Sequence, residues 1–218
     1  MKKEPNQRHY FIADAQAAEK THSFVATLFG ADFRFDTCNG LFSYEKADDA
    51  SVLLMQVMHD TLPPLQGELL DLGCGYGLLG IVLGKTHAKG ATITQSDINE
   101  IACDFARNNA AANGIRTNVI HSDGFADIAQ KFHHITLNPP IHAGKDAVNR
   151  LYTEAAAHLH PDGALYIVIQ KKHGAESTLA FLASIFHQVK ILYKRKGYFV
   201  ALCIKGSDPC VIDSNINI

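Results

Sequence analysis

The sequence predicts an α/β domain built on a mostly parallel sheet, closed by an antiparallel hairpin and preceded by a hairpin and helix extension. Three observations carry that prediction. From residue 68 onward, short apolar runs of strand character alternate with longer helical stretches, and such alternation calls for right-handed crossovers between parallel strands. The run Leu69-Leu70-Asp71-Leu72 breaks into the glycine turn Gly73-Cys74-Gly75-Tyr76-Gly77, and the apolar stretch Leu78-Leu79-Gly80-Ile81-Val82-Leu83 follows at once. Asp71, Asp97, Asp123 and Asn138 fall at or just beyond the ends of four successive strands, the edge where open parallel sheets bind ligands.

The elements follow in order. Residues 1–45 form an extension of the same domain, in which Phe24 to Phe29 is compact and apolar while Asp32-Phe33-Arg34-Phe35-Asp36 alternates with a period of two. The spacing predicts a hairpin pairing residues 33–36 with 41–44 around the turn Cys38-Asn39-Gly40, its exposed tip forming part of a substrate lid that includes Phe42. Asp49 to Met58 is apolar on one helical face and starts with an acid, so it reads as a helix ending before Pro63-Pro64. The strands and helices then alternate: strand Glu68 to Leu72, helix Gly77 to Gly84, strand Ala91 to Ser96, helix Glu100 to Asn113, strand Thr117 to His121. Asn113-Gly114 stops the third helix as a left-handed cap. Strand His134 to Asn138 ends at Pro139-Pro140, helix Asp146 to Leu159 follows, and Pro161-Asp162-Gly163 turns into the apolar strand Ala164 to Ile169. After a helix at Ala175 to Phe186, strands Val189 to Tyr193 and Tyr198 to Ile204 flank Lys194-Arg195-Lys196-Gly197 as a closing hairpin. Residues 206–218 are polar and aperiodic, and read as a disordered tail.

Composition narrows the function classes. At 218 residues and 47% hydrophobic, the chain is long enough for one domain with a substantial core. A formal net charge of −2 means that any nucleic-acid contact must rest on local basic patches. Five cysteines without a Cys-x-x-Cys pair point to a reducing, cytoplasmic setting rather than a disulfide framework. The lysines near the start lead into no apolar signal core, and no run reaches the length of a membrane span. The histidines are numerous, yet His133-His134 and His158-Leu159-His160 lack a spacing that converges on one ion; they read as dispersed surface residues, with no metal expected.

The chemistry gathers at the glycine turn. Gly73, Gly75 and Gly77 let the backbone bend sharply and a ligand approach the amides at a helix N-terminus. Gly75-Tyr76-Gly77-Leu78-Leu79-Gly80 also fits the dinucleotide pattern, so the glycines alone leave both NAD and S-adenosylmethionine open. Asp97 lies about twenty residues beyond the turn, where a carboxylate accepts from both hydroxyls of a ribose. In Ser122-Asp123-Gly124-Phe125 the acid suits an adenine amino group and the phenyl ring its flank. Asn138-Pro139-Pro140 is the most discriminating stretch. Proline has no amide donor, so the loop offers mainly acceptors, the Asn138 side-chain oxygen and the Pro139 carbonyl. Two acceptors on the hydrogens of an exocyclic amine would draw its nitrogen toward tetrahedral geometry and aim its lone pair, a catalysis by positioning.

On these residues the chain resembles the RsmC-like family of ribosomal RNA guanine-N2 methyltransferases, in particular its short, single-domain branch. The matching stretches are Gly40-Leu41-Phe42-Ser43, Asp48 to Leu54, Leu70 to Gly80, Ser96-Asp97-Ile98-Asn99, Asn138 to Lys145, Tyr166 to Ala175 and Lys196-Gly197-Tyr198. The resemblance implies a Rossmann-like class I methyltransferase fold with a seven-stranded sheet, residues 46–205 forming that domain. It also implies an S-adenosylmethionine site at Asp71, Gly73, Gly75, Gly77, Asp97, Ile98, Asp123, Gly124, Phe125 and Asn138, with Asn138, Pro139 and Pro140 holding the target amine. Ile141 stands where related amino methyltransferases often carry an aromatic residue, so base stacking is either weaker, at Ile141, or supplied by Phe42. Lys171, Lys172, Lys194, Arg195 and Lys196 fall on the same rim and suit phosphates of the implied partner, ribosomal RNA or the small ribosomal subunit. Methylation of a protein glutamine amide, and a binding module without turnover, are the competing readings.

Overall fold

A computed structural model of the chain describes residues 20–206. Residues 1–19 of the expected extension and 207–218 of the expected tail lie outside the described residues. The described chain opens with an antiparallel hairpin of β1 (Thr21–Leu28) and β2 (Ala31–Cys38), paired from Thr21 opposite Cys38 to Leu28 opposite Ala31. The pairing corrects the sequence expectation, because residues 33–36 pair back onto β1 and Leu41 to Tyr44 form turns. Phe29 and Gly30, at φ 52° and 75°, both take the left-handed conformation that a two-residue I′ hairpin turn requires. Phenylalanine is an uncommon first residue for that turn, whereas Asn39-Gly40 looks like one. Asn39-Gly40 does form a turn, the Leu41 amide donating to the Cys38 carbonyl at 3.2 Å, but it joins no pair of strands.

Helix α1 (Asp49–Thr61) ends before Pro63, as its sequence dictates. There follow β3 (Gln66–Leu72), α2 (Leu78–Lys85), β4 (Gly90–Asp97), α3 (Glu100–Ala112), β5 (Thr117–His121), β6 (Phe132–Leu137), α4 (Lys145–His158), β7 (Leu159–Gln170), α5 (Ala175–Ile185), β8 (Gln188–Arg195) and β9 (Tyr198–Ile204). Seven strands form one sheet in the order β5-β4-β3-β6-β7-β9-β8. Only the pairs that β9 makes with β7 and β8 are antiparallel. Between β3 and β6 the winding reverses direction, which opens a crevice at the carboxyl ends of β3, β4 and β6.

Strand alternation divides the core. Leu69, Ile93 and Tyr166 pack with α1, α2 and the hairpin on one face, while Leu70, Leu72 and Leu165 pack with α4 and α5 on the other. The free edge of β2 is covered by two amides one turn apart on and just past α3. Asn109 accepts from the Asp36 amide at 2.8 Å and donates to the Asp36 and Tyr76 carbonyls, both at 2.9 Å. Asn113 accepts from the Arg34 amide at 3.1 Å and donates to its carbonyl at 2.7 Å. The asparagines therefore stand in for a further strand and bolt the hairpin to the glycine turn. Gly114, at φ 68°, ends α3 as the sequence predicts. The described cysteines, Cys38, Cys74, Cys103 and Cys203, are free and buried. Among the described residues no helix is long and apolar enough to cross a membrane.

Candidate active site

A pocket of about 930 Å³ opens at the reversal point, walled by the loops after β3, β4, β5 and β6 and roofed by residues 40–48. The glycine turn forms its floor. Gly73 and Gly75 sit at φ 69° and 55°, and a Cβ added to either would meet nothing within 4 Å, so the backbone faces open space. Gly77 does not line the pocket. It caps α2, and a Cβ there would reach 2.8 Å from Ile81 Cδ1, which makes it a packing glycine.

Asp71 is likewise corrected. It is fully buried beneath the turn, its Oδ2 accepting from the Gly80 amide at 2.9 Å and from Gln95 Nε2 at 3.4 Å, with Thr136 Oγ1 donating to Oδ1 at 3.4 Å. Burial pushes its carboxyl up to about 6 against the pull of these donors. Its work is to pin α2 to the sheet, one layer below any ligand.

Asp97 does line the pocket. Its oxygens accept from the Gly75 amide at 2.8 Å and the Asn99 amide at 2.9 Å, and each retains a lone pair for a ligand hydroxyl. Burial raises its carboxyl above the ordinary range while the Asn99 and Gly75 amides hold it down. The cap of α3 is Asn99 rather than Asp97, since Asn99 Oδ1 accepts from the Ile101 amide at 3.0 Å. Ile98 adds an apolar wall and Asp123 a carboxylate, held at 2.5 Å by Arg150, beside Gly124. Phe125 is corrected as a ring flanking the adenine: its side chain is buried in the core, stacked on His158 with ring centroids 4.3 Å apart, and does not line the pocket.

At the far wall stand Asn138, Pro139, Pro140 and Ile141. Asn138 Nδ2 donates to Asp48 Oδ2 at 2.9 Å and to Ser51 Oγ at 3.0 Å. A carboxylate only accepts, so Asp48 fixes the flip of the amide and leaves Oδ1 as the atom offered to the pocket. Asp48 is itself held by capping α1, accepting from the Ser51 amide at 2.7 Å. Sequence reasoning missed Asp48 and Ser51 as site residues; the capping spacing Asp48-x-x-Ser51 before an apolar run was the available signal.

The roof carries Phe42, which with Val25 is one of two large hydrophobic side chains left exposed among the described residues. The rim carries Lys172 and His173, which line the pocket mouth. Lys171, Lys194, Arg195 and Lys196 stand outside the pocket walls, Lys194 lying over the Phe199 ring at 5.4 Å. The two basic turns are joined, since the Lys171 amide donates to the Gly197 carbonyl at 2.7 Å.

A family model described as methyltransferase small domain matches residues 32–202. The chain belongs to that methyltransferase family. Among curated relatives, the Bacillus subtilis (strain 168) protein YbxB, described as uncharacterized, is 37% identical over 195 residues, covering 88% of this chain and 96% of its own. Ribosomal RNA small subunit methyltransferase C of Aeromonas hydrophila is 40% identical over 133 residues, 59% of this chain and 37% of the relative. Among solved structures, the T. thermophilus 16S rRNA N2 G1207 methyltransferase in complex with AdoMet and guanosine superposes with a TM-score of 0.77 at 28% identity. That match covers 85% of this chain and 50% of the other. The chain thus spans half or less of these two named methyltransferases. The fold is the expected Rossmann-like class I methyltransferase fold.

Proposed function

We propose that this methyltransferase moves the methyl group of S-adenosylmethionine to the exocyclic N2 of a guanine in 16S ribosomal RNA. The observation that carries the reading is the Asn138 amide, whose donors are committed to Asp48 and Ser51 so that its oxygen is free to accept. The pocket suits the donor: Gly73 and Gly75 leave open backbone, Asp97 keeps acceptor capacity for ribose hydroxyls, and Ile98 and Asp123 border the place for adenine. S-adenosylmethionine supplies an electrophilic methyl on a sulfonium.

The protein's part is positioning. A guanine amine is a weak nucleophile because its lone pair is delocalised into the ring. Asn138 Oδ1 and the Pro139 carbonyl accept the amine's hydrogens, localise the lone pair and turn it toward the methyl donor. Pro139 and Pro140 stiffen the loop and put no competing amide donor beside it. Phe42, exposed at the pocket roof, supports a reading in which it stacks on the base in place of an aromatic at Ile141, and Lys172 with the joined basic turns suits flanking phosphates.

The test pairs two measurements on Asn138→Ala. Calorimetry is expected to show S-adenosylmethionine binding within a few-fold of the parent, while methyl transfer to small ribosomal subunits falls by about 10²–10³. Undiminished transfer would overturn the role of Asn138. Labelled methyl appearing on a release-factor glutamine rather than RNA would overturn the guanine assignment.

A further inference from the structure

At the opposite end of the sheet from the pocket, three neighbouring strands bring together Glu68 of β3, His133 of β6 and His160 of β7. One ligand-capable atom from each lies within 4.8 Å of the others. The sequence hides this convergence, because the histidines are far apart in the chain and the β6–β7 register is irregular between Phe132 and His134, where residues 160–163 of β7 have only His133 opposite them. Gly67 permits the approach, since a Cβ there would stand 2.5 Å from His133 Nδ1.

The three side chains form a set that calls for a cation. Glu68 Oε2 is shielded from solvent without a hydrogen bond of good geometry, yet it is in direct contact with His133 Nδ1 and 4.0 Å from His160 Nε2. His133 Nδ1 accepts from the Glu68 amide at 3.3 Å, so in the neutral ring its lone pair is on that nitrogen. A lone pair and a carboxylate oxygen face one another there, an arrangement that a proton or a metal ion between them would stabilise. The His133 and His160 rings lie 4.3 Å apart at 37°, close enough for both to turn a nitrogen to one ion.

We propose that Glu68, His133 and His160 bind one divalent transition ion of the zinc class. Two imidazoles and a carboxylate suit zinc, with water as the fourth ligand. Binding requires Oε2 and Nδ1 to part to the ~3.3 Å that separates ligands around a tetrahedral ion. All three side chains are half-exposed, which gives them that freedom and the ion its entry path. The ion would tie the amino ends of β3, β6 and β7 together, far from methyl transfer.

Calorimetric titration of the full chain with zinc chloride tests this directly. One equivalent is expected to bind, with affinity falling at least tenfold in His160→Asn and in His133→Asn. Zinc at about 100 times the parent's Kd should raise the Tm of the parent by roughly 5 °C or more and that of either variant by about half as much or less. Cobalt(II) should give the visible bands of a four-coordinate ion in the parent alone. Retained S-adenosylmethionine binding controls for the fold of each variant. No bound zinc, or equal zinc affinity and Tm shift in parent and His160→Asn, would overturn the proposal.

Discussion

Asn138 depends on a residue ninety positions earlier for its orientation. Asp48→Ala would free the amide to flip and present a donor where an acceptor is needed. Turnover should fall about tenfold with S-adenosylmethionine affinity unchanged, and the lost cap should cost about 1 kcal/mol in urea unfolding. Asp48→Asn keeps an acceptor and should restore part of the turnover, which a merely structural role would not predict. Asp71 yields a pH signature instead. Burial holds its folded carboxyl at about 6, above the ordinary value of 3.8, so its contribution to stability is full below pH 4 and is lost as pH rises through 6. Relative to Asp71→Asn, the parent should lose about 2 kcal/mol between pH 4 and 7, read from urea unfolding at each pH. At this scale the sequence displayed the Asn138-Pro139-Pro140 loop and the acids at strand ends. It could not display which atoms line the pocket: Asp71 and Phe125 sit in the right motifs but turn their side chains into the core, and Gly77 is packed against Ile81, because packing decides that.

Among elements, the β1–β2 hairpin is where sequence and structure part most. Its turn uses Phe29-Gly30, and the more conventional Asn39-Gly40 turn lies one strand too late. Strand alternation from β3 to β9, by contrast, is written in local apolar runs, and the structure follows it within a few residues except at β7, which begins at Leu159. What locates the hairpin is a long-range contact that no local pattern reports, the Asn109 and Asn113 amides on the β2 edge. Asn109→Ala leaves the Asp36 amide and the Asp36 and Tyr76 carbonyls without their partner. It should destabilise the protein by about 3 kcal/mol and lower Tm by roughly 6–12 °C in a thermal melt.

Taken whole, the molecule carries a net charge of −2, yet Lys172 stands at the pocket mouth and its turn is joined to the second basic turn through Lys171 and Gly197. Under the proposed function, that arrangement would suit phosphate contacts near the pocket rather than indiscriminate attraction to nucleic acid. That rim was legible once the strands were read as parallel, since β7 and β8 must end on the same side. The cluster of Glu68, His133 and His160 was not, because three strands meet there only in the folded sheet. Nucleoside mass mapping of ribosomal RNA from cells lacking this protein puts the methyl-transfer assignment to the most direct test. One N2-methylguanosine should vanish from 16S RNA, returning with the parent chain and not with Asn138→Ala. An unchanged methylation map, or equal restoration by both chains, would contradict it.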